Sequence, residues 1–363
     1  MEKDIRLLKG NEAVAEAAVR CGCDGYFGYP ITPQSEILET LMELHPWDTT
    51  GMVVLQAESE IAAINMLYGG ASTGKKVMTS SSSPGISLMG EGISYIAGAE
   101  LPCVIVNVQR GGPGLGTIQP GQSDYFQAVK GGGHGDYKQI VLAPNSVQEM
   151  YDFVFLGFEL AFKYRNPVMI LTDGIIGQMM EKVRFTAPMP RMTEEFIEKN
   201  YGDWALTGKR QRNRNIATSL NIDPVEQEKH NIHLQKKYRV IEENETRYES
   251  FMCEDADYVM VAFGSSARIA SKAMETAREQ GYKVGLFRPV TLFPFPTEPL
   301  RELAGRVKGF LSVEMNAGQM VEDVRLSVGS NVLVDHYGSM GGVIHSPAQV
   351  YQGLMDRIIN KLQ

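Results

Sequence analysis

The stretch Gly25-Tyr26-Phe27-Gly28-Tyr29-Pro30-Ile31-Thr32-Pro33 decides the fold. Its first half is a short apolar run bounded by glycine, the pattern of a buried strand. Two prolines then bracket Ile31-Thr32 and restrict the backbone to an extended turn with few accessible conformations. An amphipathic helical pattern over Ser35–Leu44 follows directly. Strand, rigid turn and helix in that order form half of a βαβ unit, whose strands lie parallel and whose ligands collect at the strands' carboxyl ends. The prolines can be read as a plain strand stop or as the frame that holds the Thr32 hydroxyl in place.

The same alternation extends outward. Strands are predicted at Gly25–Tyr29, Met52–Gln56, Lys76–Ser80, Cys103–Val108, Gln139–Leu142 and Val168–Thr172. Helices are predicted at Glu12–Arg20, Ser35–Leu44, Ser59–Gly70, Ser87–Ala97 and Val147–Lys163. This implies an α/β domain with a parallel sheet and helices on both faces. Residues 186–254 are polar and broken by Pro188, Pro190, Gly202, Gly208 and Pro224, and read as a connector with helix over Pro224–Asn244. Residues 255–363 resume the alternation as a second, smaller α/β domain.

A chain of 363 residues, 43% of them hydrophobic, is long enough for two cores. Acidic residues outnumber Lys plus Arg by 43 to 35, and no basic run tracks a phosphate backbone, so nucleic acid is not expected as a partner. No apolar span suits a membrane and no signal core opens the chain, so a cytoplasmic location is expected. Cys21, Cys23, Cys103 and Cys253 lack the spacing of a metal or cluster site, so no metal ligand is assigned in this chain. Cys21-Gly22-Cys23 reads as a helix-to-strand turn rather than a redox pair, which has two intervening residues. Gly69–Lys76 nearly spells a phosphate-binding loop, but it leads from a helix into a strand and lacks the magnesium-binding hydroxyl.

Four segments carry candidate chemistry. Ser80-Ser81-Ser82-Ser83-Pro84-Gly85 joins a strand to a helix, where small side chains either cap the helix or leave room for a ligand. Glu60 opens a helix and is either a dipole partner or, against Ile61-Ala62-Ala63-Ile64, a desolvated carboxyl able to share a proton. Arg110 ends a buried strand before Gly111-Gly112-Pro113-Gly114-Leu115-Gly116, and its planar fork suits a carboxylate. Thr32 is the fourth.

Together these residues resemble the α-type subunits of 2-oxoacid:ferredoxin oxidoreductases, which are thiamine diphosphate enzymes. The resemblance rests on YPITP at 29–33, ESEIAAINMLYGGA at 58–71, TSSSSPGISLMGEGISY at 79–95, VQRGGPGLGTIQPGQSD at 108–124, RPVTLFPFP at 288–296 and EMNAGQ at 314–319. It implies a thiamine diphosphate-binding fold whose pyrimidine domain is residues 1–185, with a transketolase C-terminal-like domain at 255–363. It also implies that Glu60 contacts the cofactor pyrimidine, with Pro30, Ile31, Ser82 and Ser83 beside it. Thr32 and Arg110 fall on the family's substrate-binding positions. The implied reaction is oxidative decarboxylation of a 2-oxoacid to acyl-CoA, with coenzyme A as substrate and electrons passed to ferredoxin. Thr172-Asp173-Gly174-Ile175 is the nearest approach to the diphosphate motif and lacks its first Gly and its Asn. A β-type subunit is therefore expected to bring the diphosphate and magnesium site, and γ- and δ-type subunits the coenzyme A-proximal part and the iron–sulfur clusters.

Ser83 and the run Gly114-Leu115-Gly116-Thr117-Ile118 look closer to 2-oxoisovalerate (3-methyl-2-oxobutanoate) enzymes than to 2-oxoglutarate enzymes. His134 is expected to be a loop or interface residue. The same reaction on 2-oxoglutarate or another 2-oxoacid is one alternative, and a non-catalytic assembly module of the same fold is the other.

Overall fold

The computed structural model describes residues 4–208 and 213–363; residues 1–3, and residues 209–212 of the predicted connector, lie outside the described residues. The strands are β1 (Ile5–Lys9), β2 (Gly25–Gly28), β3 (Val53–Gln56), β4 (Val77–Ser81), β5 (Cys103–Gln109), β6 (Ile140–Leu142) and β7 (Pro167–Asp173). They continue with β8 (Met180–Arg184), β9 (Tyr248–Phe251), β10 (Tyr258–Ala262), β11 (Val284–Pro289), β12 (Thr291–Phe293), β13 (Gly309–Glu314) and β14 (Leu333–Gly338). The larger sheet runs β12-β6-β7-β5-β4-β2-β3 and is parallel except for β12. The smaller sheet runs β14-β13-β10-β11-β9, with β9 antiparallel.

Every residue of β4, β5 and β7 is buried. Such strands read as continuous apolar runs because helices cover both faces. Helices Gly10–Arg20, Ser35–Leu44 and Val147–Tyr164 pack together on one side, while Glu60–Ser72 pairs with Ser83–Gly98. The Val147–Tyr164 helix buries Val147, Met150, Tyr151, Val154, Phe158 and Ala161 along one stripe, and Ser146 caps it by accepting from the Glu149 amide at 3.1 Å.

The chain proceeds from β2 to β3 on one flank and then to β4 on the other. The helices after β2 and β4 therefore leave from opposite faces, which opens a crevice at the carboxyl ends of those two strands. Both YPITP and the serine run sit at that crevice.

Three features depart from the sequence reading. β1 and β8 form an antiparallel ribbon of their own, where no strand was predicted. β9 lies in the stretch read as connector, yet it pairs with β11 of the second sheet. β12 follows β11 after one residue and crosses to the first sheet, pairing with β6. All three are edge pairings, made by contacts that short apolar runs do not announce.

The two α/β units meet through buried polar contacts. Gln122 donates to the Phe263 carbonyl at 2.9 Å, and its amide oxygen accepts from Ser266 Oγ at 2.7 Å and from the Met315 amide at 3.1 Å. Asp173 caps the helix Gly174–Gln178 through the Ile175 amide and accepts from Ser265 Oγ at 2.6 Å. The residue nearest to a diphosphate motif is thus a cap and an interdomain bridge.

His345 is buried in the second unit, with Nδ1 3.2 Å from Ser339 Oγ and Nε2 without a partner. Burial, and then the neighbouring His336, push its pKa down to about 4 from an ordinary 6.5. The folded chain therefore holds it neutral while the unfolded chain takes up a proton, and stability is lost as pH falls from about 6.5 towards 4. The loss is roughly 3 kcal/mol by linkage. Denaturant midpoints at pH 7 and pH 5 should show His345→Gln losing less on acidification than the parent chain.

Candidate functional site

The loop after β2 is held by a buried polar chain. Tyr26 and Ser80 hydroxyls lie 2.6 Å apart, Ser80 Oγ donates to Gln34 Oε1 at 2.5 Å, and Gln34 Nε2 donates to the Tyr29 carbonyl at 2.9 Å. Asn11 and Gln178 amides both donate to the Pro33 carbonyl, at 2.7 and 3.2 Å. The Thr32–Pro33 peptide is cis. This scaffold leaves Pro30 and Thr32 exposed and Ile31 half-buried, so the rigid part is the backbone and the free part faces the crevice.

Arg110 is 8% exposed at the end of β5. Its Nη1 donates to the Thr32 carbonyl at 3.0 Å and its Nη2 to the Leu115 carbonyl at 2.9 Å, while Nε is buried without a partner. Arg110 and Thr32 do meet, as the motif order suggests, but through the backbone oxygen of Thr32 and not its hydroxyl. Ser83 Oγ accepts from the Arg110 amide at 3.1 Å and so ties the serine run to the arginine strand.

The helix after the serine run starts at Ser83, four residues before the predicted Ser87. Pro84 fits a first helical turn, where its missing N–H costs nothing. Ser82 then occupies the N-cap position, yet its side chain makes no cap bond, and both Ser81 Oγ and Ser82 Oγ are buried without partners. Unsatisfied buried hydroxyls are rare, because each forfeits its hydrogen bond to water. A helix cap therefore does not account for these serines.

Glu60 is 6% exposed at the first position of its helix, whose cap is Ser59 Oγ on the Ala62 amide at 3.2 Å. A Cβ built on Gly85 would come within 2.6 Å of Glu60 Oε1 and 2.1 Å of Ser81 Oγ. Only glycine at 85 lets the carboxylate and the serine helix approach this closely. Close approaches thus link Glu60 to Ser81 beside Gly85, Ser83 to the Arg110 amide, and Arg110 to the Thr32 carbonyl.

Sequence reasoning passed over Asp124. Its carboxylate accepts from Asn107 Nδ2 at 2.9 Å. Burial pushes its pKa above the ordinary carboxylate value, with hydrogen bonds from Ser83 and Asn107 offsetting part of the rise. The only signal was its place at the end of GQSD. Cys21 and Cys23 are buried, and burial pushes their thiols up, Cys21 to about 12. Neither is a reactive thiolate at neutral pH. His134 lies in the exposed Gly131–Asp136 loop, and its carbonyl accepts from Ser94 Oγ at 2.7 Å.

Among the described residues there is no group of three or more His, Cys, Asp or Glu able to hold a metal ion, and no helix long and apolar enough to cross a membrane. A buried carboxylate and two orphaned hydroxyls against small residues make a polar set suited to a nitrogen heterocycle. Ile61, next to Glu60, and Leu88, on the Ser83–Gly98 helix, are exposed, as are Val53 and Leu55 on edge strand β3.

Residues 16–250 match the family described as pyruvate flavodoxin/ferredoxin oxidoreductase, thiamine diP-bdg, and residues 256–350 match pyruvate:ferredoxin oxidoreductase core domain II. The ketoisovalerate oxidoreductase subunit VorB of Methanothermobacter marburgensis is 54% identical over 337 residues, covering 93% of each chain. A solved 2-oxoglutarate:ferredoxin oxidoreductase from Magnetococcus marinus, with 2-oxoglutarate, coenzyme A and succinyl-CoA bound, superposes with a TM-score of 0.84 at 28% identity. It covers 98% of this chain, which spans 65% of that one. A split-gene transketolase matches at a TM-score of 0.60 and 13% identity, a likeness of fold alone.

Proposed function

Because the chain belongs to the 2-oxoacid:ferredoxin oxidoreductase family as an α-type subunit, we propose that it supplies the pyrimidine half of a thiamine diphosphate site. The reaction is oxidative decarboxylation of 3-methyl-2-oxobutanoate to its acyl-CoA, with electrons delivered to ferredoxin. The observation that carries this reading is the chain of close approaches joining Glu60, the orphaned serines and Arg110.

When bound, the cofactor supplies a nucleophilic carbon and an electron sink for decarboxylation. Glu60 holds a proton at its carboxylate against a ring nitrogen of the pyrimidine. Pro30, Ile31, Ser82 and Ser83 fix the ring's position, and the glycine at 85 keeps the approach open. Arg110 exchanges the Thr32 and Leu115 carbonyls for the substrate carboxylate, a bidentate acceptor matched to its fork, and the Thr32 hydroxyl borders the reacting head.

Exposed Ile61 beside Glu60, Leu88 on the serine helix and the apolar edge strand β3 support a covering chain. That chain is a β-type subunit bringing the diphosphate and magnesium half. The γ- and δ-type subunits bring the coenzyme A-proximal part and the iron–sulfur clusters, and the assembly works in the cytoplasm. On this reading residues 1–185 form the pyrimidine domain and residues 255–363 the transketolase C-terminal-like domain.

The test is 2-oxoacid- and coenzyme A-dependent ferredoxin reduction by the purified chain and by the complex co-produced with its partners. The chain alone should be inactive, and the complex should favour 3-methyl-2-oxobutanoate over 2-oxoglutarate. A complex that fails to reduce ferredoxin with any 2-oxoacid tested would refute the catalytic reading and favour an assembly module.

A further inference from the structure

We propose that Leu115 is the residue that selects the branched aliphatic tail of the substrate, an inference that rests on the reading of Arg110 as the carboxylate clamp. The loop from Arg110 to Pro120 closes on itself. The Gly111 amide donates to the Gln119 carbonyl and the Thr117 amide to the Gly111 carbonyl, both at 2.8 Å. Its tip carries Leu115 between Gly114 (φ 69) and Gly116 (φ 57), both in the left-handed region. Gly116 cannot be replaced without collision, since a Cβ there would lie 1.8 Å from the Gly111 carbonyl oxygen.

This geometry ties Leu115 to the guanidinium. Its carbonyl accepts from Arg110 Nη2 at 2.9 Å, while its side chain is 80% exposed. A carboxylate taking that Nη2 lies against the backbone of Leu115, and the rest of a small 2-oxoacid then meets the Leu115 side chain.

The surroundings decide what kind of tail is accepted. The loop packs against Gly341-Gly342 of the second unit: a Cβ on Gly342 would come within 2.6 Å of Thr117 Cγ2 and Gln119 Cβ. Met340, Val343 and Ile118, each next in the chain to one of these contacts, are exposed and apolar. Neither residues 111–119 nor residues 338–344 contain a charged side chain. A second carboxylate, as in 2-oxoglutarate, would find no cation among these residues, whereas an isopropyl group would pack its apolar surface against Leu115.

The experiment uses the co-produced complex with Leu115→Ala and Leu115→Lys. It compares kcat/KM for 3-methyl-2-oxobutanoate and 2-oxoglutarate, with assembly followed by size-exclusion chromatography. Leu115→Ala should lower the branched-to-dicarboxylate ratio roughly tenfold by losing one apolar contact. Leu115→Lys, which adds the missing cation, should lower it roughly a hundredfold. An unchanged ratio, an equal loss on both substrates, or failure of the variants to assemble would overturn the inference, the last by making Leu115 a partner contact. A parent complex active only on other 2-oxoacids would instead overturn the substrate reading, and the selector role with it.

Discussion

Glu60→Gln in the assembled enzyme should cut turnover by about 10² to 10⁴, the usual range for losing a positioned proton-transfer group. The substitution is nearly isosteric, so the close packing beside Gly85 and Ser81 and the Ser59 cap both survive. What it removes is the capacity to hold or release a proton. The bland alternative is that Glu60 only complements the helix dipole, as acids in first turns commonly do. That role is worth about 0.3–1 kcal/mol of stability and nothing in turnover. Steady-state ferredoxin reduction together with thermal unfolding of the same preparation separates the two. Turnover equal to the parent's, with a slightly lower melting temperature, would leave the dipole role as the whole account.

Arg110→Met is the second large effect. Losing a charge-assisted hydrogen-bonding partner for the substrate carboxylate should cost about 3 kcal/mol, or about a hundredfold in kcat/KM for the 2-oxoacid. Arg110→Lys keeps the charge but presents a point donor instead of a fork, and should recover only part of that loss. Arg110 also tethers the Thr32 and Leu115 carbonyls, so a purely structural contribution must be distinguished. Cofactor affinity does so. If Arg110 acts on substrate, thiamine diphosphate titration of the Arg110→Met complex matches the parent's while the 2-oxoacid dependence shifts. If affinity for cofactor and substrate fall together, the residue is holding the crevice open and not reading the carboxylate.

Much of this site was legible in sequence because its residues occupy short, contiguous motifs with unusual local composition. Two prolines around Ile31-Thr32, four consecutive serines, and an arginine leading into five glycines within residues 111–121 are patterns that local sterics and strand-end position can interpret. Asp124 was not legible in this way. A single acid at the end of GQSD gives no sign of burial, and its environment comes from Asn107 on β5 and Ser83 on a neighbouring helix. The start of the serine helix was also misplaced, because Pro84 reads locally as a breaker although it suits the first turn.

By itself, then, the sequence determined that the chain is an α/β protein of alternating strands and helices, with a proline-bracketed turn after Gly28. It also determined which residue types stand at the strand ends, because hydrophobic periodicity and proline sterics act within a few residues. The tertiary structure alone decided that β3 and β4 flank β2 on opposite sides, which creates the crevice. It alone decided that Arg110 reaches the Thr32 carbonyl rather than its hydroxyl. It also sends β12 across to the first sheet and seats the second unit's Gly341-Gly342 on the arginine loop. The physical reason is range: strand order and interdomain contacts join residues tens to hundreds of positions apart, where backbone hydrogen bonding and shape fit, not local propensity, choose the partner.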